Sequence, residues 1–406
     1  MKLSSAARKA FFLGGLCSIS YLAVYVAKGA LSAATPQMTA DGAFTTTQIG
    51  TLSSMYFIVY AFGQLINGFI GDRIKAKYMI SFGLIFASAG FMLLPQLTGM
   101  PNYATIAYAS AGFFMAMIYG PMTKVVAENT EPLYATRCSV GYTMASFLGS
   151  PVAGFLAASL AWPWVFRSTG AILLIMGGVA FFCFSVMEHR GIIKYGQYAR
   201  PKGSKGGIKM LLKRQIVKFT FIAILTGVVR TTVVFWMPTY ISQHLGFAPK
   251  TAALIFTVAS FAFSFSAINA IVIYEKLKQN MDLAILIGFI ASASFFALVF
   301  FVKQPIMNVV FLSLAILGNN LAASLMWSRY CPSLYDTGMV STATGFLDFC
   351  SYMAASASSK IFAGAAGTLG WGMLILVWCG LMCCGILVAL PWKKMIRGKK
   401  NECNAN

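Results

Sequence analysis

Twelve predominantly apolar runs, at 10–38, 46–70, 78–98, 101–123, 138–161, 165–187, 219–242, 249–274, 282–302, 306–328, 339–363 and 368–392, constrain this chain more than any other feature. Each reaches about the 20 residues that a helix needs to cross a hydrocarbon core of roughly 30 Å. A water-soluble fold has no way to hide so much apolar surface: 58% of the 406 residues are hydrophobic and only 10% are charged. Strands crossing a bilayer would alternate apolar and polar residues over about 10 positions, whereas these runs are continuous in Leu, Ile, Phe, Ala and Met. In lipid each segment must satisfy its own backbone, so the runs imply a bundle of helices. The first run follows Arg8 and Lys9 and is far longer than the ~7–15 apolar residues of a cleaved leader, so it is read as the first helix.

The formal net charge of +21 would suit a nucleic-acid binder, but its distribution argues against one. Most of the 31 Lys and Arg fall in alternate connections and in the two tails: Lys2, Arg8 and Lys9; Arg73, Lys75 and Lys77; Lys124 and Arg137; the stretch from Arg190 to Lys218; Lys276 and Lys278; Arg329; and Lys393 to Lys400. The other side keeps Arg167, Lys250, Lys303 and Lys360. By the positive-inside rule both termini are expected in the cytosol, in a multi-pass plasma-membrane protein. Contact with anionic membrane lipids is a secondary use of the same charge.

The densest basic stretch, "RGIIKYGQYARPKGSKGGIKMLLKR", has the Gly, Pro and Ser of a linker and divides six runs from six. Landmarks repeat across it. Lys28 precedes Pro36 by the same eight residues that separate Arg230 from Pro238, and Asp72 in "GDRIKAK" follows Lys28 at nearly the distance at which Glu275 in "YEKLKQN" follows Arg230. Two related six-helix halves around a shared cavity are expected. The organisation is a six-helix unit at 1–188, a cytosolic linker at 189–214, a second six-helix unit at 215–395 and a tail at 396–406.

"NGFIGDRIKAK", with Gly68, Asp72, Arg73 and Lys77, resembles the signature loop between the second and third helices of the major facilitator superfamily. That resemblance implies an all-α integral membrane fold of twelve transmembrane helices in two pseudo-symmetric six-helix bundles, and a gating role for those four residues. Within the superfamily, Tyr21, Tyr25 and Lys28 resemble the first helix of the organophosphate:phosphate antiporters, which carry glycerol-phosphate and hexose-phosphate. "RTTVVFWMPTY", Arg230 to Tyr240, is similar to their seventh helix and "ATGFLDFCSYM" to their eleventh. The chain departs from them in carrying Lys28 where arginine is usual, Gln64 where the glycerol-phosphate carriers place lysine, and no histidine near Ser146.

The physics of these positions stands beside the resemblance. A Lys or Arg at a helix centre costs about 2.5–3.5 kcal/mol on insertion scales. Lys28 could lift its head to the interface, or pair with Asp348, the one acid clearly inside a run. One aspartate cannot neutralise Lys28 and Arg230 together, so the interior keeps a formal positive excess that an anion would balance. Tyr21, Tyr25 and Lys28 share one helix face at i, i+4 and i+7, and Tyr60, Gln64 and Asn67 repeat that spacing. Such a tyrosine stripe serves packing or an interfacial belt unless a buried cation stands in line with it, as Lys28 does. A lysine point charge, an arginine fork and phenol donors suit a phosphate or a carboxylate. Charge is expected to matter more than size there, and Lys28→Arg, which restores the pattern of the resembling family, is expected to retain activity.

Other chemistry is thin. The nine cysteines lack metal-ligand spacing and read as free buried thiols. His189 and His244 fall outside the apolar runs, there is no phosphate-cradling loop, and "GTLGWG" at 367–372 reads as a turn into the last helix. No cofactor, metal or catalytic constellation is expected. The expected function is secondary transport of a small organic anion, phosphate ester or carboxylate, substrate-binding residues being Lys28, Arg230, Tyr21, Tyr25, Tyr60 and Gln64. Asp348 is the coupling residue or counter-ion, inorganic phosphate, H⁺ or Na⁺ the coupled ion, and the protein a monomer. A proton-coupled carrier of a neutral or sugar substrate and a non-transporting membrane sensor of the same fold are the alternatives.

Overall fold

The computed structural model describes residues 5–71, 74–195, 208–334 and 340–390. Regular structure among them is helical: α1 (Ser5–Ala40), α2 (Thr46–Gly71), α3 (Ala76–Leu93), α4 (Pro101–Met115), α5 (Tyr119–Asn129), α6 (Pro132–Ser159), α7 (Trp162–His189), α8 (Ile208–Lys213), α9 (Ile216–Val228), α10 (Val234–Gln243), α11 (Pro249–Phe263), α12 (Ser266–Lys276), α13 (Met281–Phe301), α14 (Pro305–Leu325), the short α15 (Cys331–Ser333), α16 (Val340–Thr368) and α17 (Gly370–Ala389). A π-turn at Val229–Val233 joins α9 to α10, and another at Met326–Tyr330 follows α14.

Every expected apolar run is helical, but not every one is a single rod. Among the described residues nine helices are long and apolar enough to cross a membrane, or ten when the bent pair α11 and α12 is taken as one span. The fourth run breaks between α4 and α5. Pro121 has no N–H to offer the carbonyl of Met117 and its ring crowds that carbonyl, so the ladder fails there. The eighth run bends by 40° between α11 and α12, where the Ser264 hydroxyl donates to the Phe147 carbonyl of α6 at 3.1 Å. That hydroxyl also donates to the Ser260 carbonyl one turn back at 3.3 Å, and a side chain that inserts into the helical ladder is a known cause of a kink. α16 is long enough to span but rich in Ser, Ala and Gly, which suits packing against protein rather than lipid. His189, expected in the linker, is the last residue of α7, and the "GTLGWG" turn lies where expected, between α16 and α17, with Gly370 at φ 74°.

The chain turns back on itself at two ends. One end gathers Lys75 and Lys77, which pair with Glu188 at the close of α7, and Lys218, which pairs with Asp282 and donates to the Ala389 carbonyl. The start of the linker is fastened here too. Asn129 accepts from the Lys194 N–H at 2.7 Å and donates to its carbonyl at 2.9 Å. Beside it Ile193 is buried, and burial pushes the Tyr195 phenol well above its ordinary pKa. The far end carries Phe44 against Trp162 and Tyr240 against Asn308 and Trp371.

Two groups of helices, α1 to α7 and α9 to α17, meet through α2 on α16, α6 on α11 and α1 on α10. Under the spacing that relates Lys28 to Arg230, α2 corresponds to α11 and α12, and α16 to α6, so the first two contacts are mates of one another. The third is a self-contact: the Ser32 hydroxyl donates to the Phe235 carbonyl, 203 residues later, at 2.6 Å. A residue that meets its own repeat mate lies beside the pseudo-twofold axis. Towards the far end the two groups pack by small residues and hydroxyls. Ser53 meets Ser359 at 2.5 Å and Ser54 meets Ser356 at 2.9 Å, and a Cβ on Gly50 would overlap that of Ala363.

Candidate functional site

α1 brings Tyr21, Tyr25 and Lys28 to the middle of the bundle on one face, as the i, i+4, i+7 spacing requires. Gly149 of α6 makes this possible, because any Cβ there would collide with Tyr25. Arg230 arrives from the other group on the π-turn at Val229–Val233. Such a turn holds one residue more than an α-turn and so re-aims its side chains, and such bulges collect at functional sites. Lys28 has no π-turn around it, so the two cations hold equivalent places in the repeat on unlike backbones. Lys28, Arg230 and Asp348 are all partly exposed, while their neighbours Ala27, Val229 and Leu347 are 0% exposed. Partial exposure at mid-depth, between helices of both groups, means that their heads face an internal cavity.

The Lys28 ammonium does not lift to the membrane interface. It donates to the Tyr352 hydroxyl at 3.1 Å, lying beyond the hydroxyl end of that ring with the centroid 5.1 Å away, and sits over Tyr60 at 3.8 Å and Tyr25 at 4.9 Å from the ring centroids. A desolvated cation–π contact contributes up to about 2 kcal/mol, so these rings together offset much of the insertion cost. The expected ion pair is not direct. Asp348 interacts electrostatically with Lys28 and Arg230, yet among the described residues neither cation lies within ion-pair distance of it. Two cations and one acid therefore face the cavity with a gap between them.

The other expected residues divide. Tyr60 and Gln64 belong to the cluster: the Gln64 amide donates to the Tyr60 hydroxyl at 2.8 Å, and Tyr60 packs on Tyr352 with centroids 4.9 Å apart. Tyr21 is buried next to it, edge-on to Tyr25 at 4.9 Å. Asn67, on the same expected face, turns away and donates to the Phe113 carbonyl of α4 at 3.3 Å. Of the gating residues, Lys77 pairs with Glu188 at 2.5 Å, Gly68 lies within α2, and Asp72 and Arg73 lie outside the described residues.

Tyr352 was missed by sequence reasoning. Its one signal is the i, i+4 spacing from Asp348, which puts both on one face of α16. Tyr119 and Tyr142 were missed as well. They pack on Tyr21 at 5.4 and 6.3 Å, Tyr119 standing at the first position of α5, where the break in the fourth run sets it. With them the cavity has a tyrosine wall, amphipathic by nature, apolar in its ring faces and hydrogen-bonding at its hydroxyls.

Comparison with known proteins follows the geometry. The family model of the Major Facilitator Superfamily matches residues 17–359. The chain is 22% identical over 396 residues to the membrane sensor protein UhpC of Escherichia coli (strain K12), covering 88% of this chain and 86% of that one. It is 21% identical over 423 residues to the phosphoglycerate transporter protein of Salmonella typhimurium, covering 95% and 90%. With the glycerol-3-phosphate transporter of Bacillus subtilis it shares 24% identity over 255 residues, 57% of each chain. Among solved structures, the crystal structure of the D-xylose-proton symporter superposes with a TM-score of 0.73 at 13% identity, covering 93% of this chain and 96% of that one. A bacterial homolog of the human lysosomal transporter Spinster, inward-facing and unoccupied, gives 0.70 at 13% identity over 94% and 93%. At such identity these two likenesses concern the fold.

Proposed function

The chain belongs to the major facilitator superfamily, and on that premise we propose that it is a secondary active transporter of a small organic anion, a phosphate ester or a carboxylate, working by alternating access across the plasma membrane. One observation carries this reading: Lys28 and Arg230, from opposite halves, face one cavity with, among the described residues, a single acid, Asp348, which pairs directly with neither. An anion held by both balances the excess charge. Because it sits beside the pseudo-twofold axis, it also draws the halves together, which is how binding biases a rocking equilibrium. Arg230 offers a fork for two oxygens of the anion and Lys28 a point charge. Tyr25 and Tyr60 line its path, with Gln64 orienting Tyr60 and Tyr21 packed behind. Asp348 serves as a fixed counter-ion that keeps the empty cavity from being too positive.

The halves are 1–188 and 215–395, joined by the cytosolic linker 189–214, with the tail 396–406 in the cytosol as well. Their contact towards the far end supports a resting cavity open to the basic, cytosolic end. Gly68, Asp72, Arg73 and Lys77 form the gate at that end in the opposite state. Inorganic phosphate is the first candidate for the exchanged ion, with H⁺ or Na⁺ symport as the competing mode. The phosphate-ester carriers among the relatives support the substrate class, and UhpC keeps a second reading open, a sensor that binds the same anion without moving it.

Calorimetry on the purified protein tests the reading with glycerol 3-phosphate, succinate and xylose as probes. Binding of at least one anion, lost in Arg230→Gln, is expected. Xylose binding that outcompetes both anions would overturn it in favour of a sugar carrier. Uptake into proteoliposomes then separates carrier from sensor, flux being the result expected.

A further inference from the structure

We propose that Tyr25, Tyr60 and Tyr352 form a binding cage for a primary ammonium group, filled in the native protein by Lys28 itself, and that this cage makes lysine rather than arginine the residue required at position 28. Two rings, Tyr25 of α1 and Tyr60 of α2, and the phenol oxygen of Tyr352 on α16 surround one nitrogen, at 4.9 and 3.8 Å from the ring centroids and 3.1 Å from the oxygen. Each ring is held in place. Tyr60 accepts from Gln64 at 2.8 Å and stacks on Tyr56 with centroids 6.0 Å apart. Tyr352 is backed by Phe57 at 6.1 Å, and Tyr25 stands edge-on to Tyr21. Ring quadrupoles attract a cation without cancelling its charge, which a carboxylate would do. One ammonium hydrogen goes to the Tyr352 hydroxyl at 3.1 Å, so two remain for a ligand. The cage thus holds the lysine head in place and directs it towards the cavity, where Arg230 lies opposite.

An ammonium is compact enough to be enclosed on three sides at these distances. A guanidinium is a flat plate that stacks well on one ring but is too wide to lie between two rings and a phenol oxygen. Charge alone would make Lys28 and arginine interchangeable; the cage distinguishes them. It also predicts that the missing part of the side chain can be supplied from solution. Alanine keeps the Cβ, and n-propylammonium is what then completes a lysine.

The decisive experiment is calorimetry of n-propylammonium on Lys28→Ala, with 1-propanol as the neutral control. Saturable binding of the amine to Lys28→Ala and none to the parent is expected, with the affinity falling about tenfold when Tyr60→Leu is added and staying within about threefold with Tyr60→Phe, which keeps the ring face. Absence of saturable amine binding, or 1-propanol binding equally well, overturns the cage. Should Lys28→Ala fail to fold, Lys28→Arg decides: glycerol 3-phosphate affinity at least about tenfold below the parent is expected, and parental affinity overturns the proposal. Only this second readout rests on the anion reading above. A parent that binds no anion, beside a Lys28→Ala protein that binds the amine, would sink that reading and leave the cage standing.

Discussion

Lys28, Arg230 and Asp348 show that a single charge can be worth more to a reader of sequence than a long motif. Each stands in a run where insertion makes it costly, so each demands a reason. Their expected effects differ in sign. Replacing Arg230 or Lys28 with glutamine should remove roughly 1.5–3 kcal/mol of anion binding, the range for hydrogen bonds to charged groups, and calorimetry with glycerol 3-phosphate or succinate measures it. Asp348→Asn removes a negative charge within electrostatic reach of both cations, so anion affinity should hold or rise, with exchange in proteoliposomes preserved. Loss of pH-gradient-driven uptake while exchange persists would instead make Asp348 a proton carrier. Tyr352 carried no such flag, because a tyrosine in an apolar helix costs little and draws no attention until a lysine from α1 is seen beside it.

α2 and α16 carry the hydroxyl and small-residue contact at the far end. Interhelical hydrogen bonds in membranes contribute only about 0.6 kcal/mol each on average, so close approach, and not the serines alone, must hold the surfaces together. Gly50 against Ala363 is the tightest test of that. Gly50→Val should wedge α2 from α16 and favour states with the far end open. Spin labels at Thr47 and Thr368 should then report a longer distance than in the parent, and an unchanged distance would mean that this contact does not govern closure. A second element-level device is the linker anchor. Asn129→Ala removes both side-chain bonds to the Lys194 backbone, each contributing a net ~0.5–1.5 kcal/mol, and limited proteolysis just after Lys194 should become faster.

For the whole molecule, orientation decides which side of the membrane each end of the bundle faces. Lys209 and Thr98 are both exposed and belong to opposite ends of the bundle. In a background freed of native cysteines, Lys209→Cys should react with an impermeant maleimide only from the cytosolic side and Thr98→Cys only from outside. The reverse pattern would invert the topology. The packing of α2 on α16, mirrored by α6 on α11, and the contact of Ser32 with Phe235 are what a rocking pair of halves would pivot on.

Apolar run length, charge asymmetry and a repeated spacing determined the all-helical membrane architecture, because lipid penalises each unsatisfied backbone group and each misplaced charge strongly enough to leave a pattern in one dimension. The same penalties exposed Lys28, Arg230 and Asp348. What only the tertiary structure decided is how these charges are accommodated, by a phenol hydroxyl from the other half at Tyr352 and by a π-turn under Arg230, and how a break at Pro121 sets Tyr119 beside Tyr21. Those features arise between helices far apart in the chain, or from small shifts of hydrogen-bond register within one. Neither changes the local apolar pattern, since a tyrosine that forms a cage and a tyrosine that only packs occupy the same kind of position until the opposing helix is in place.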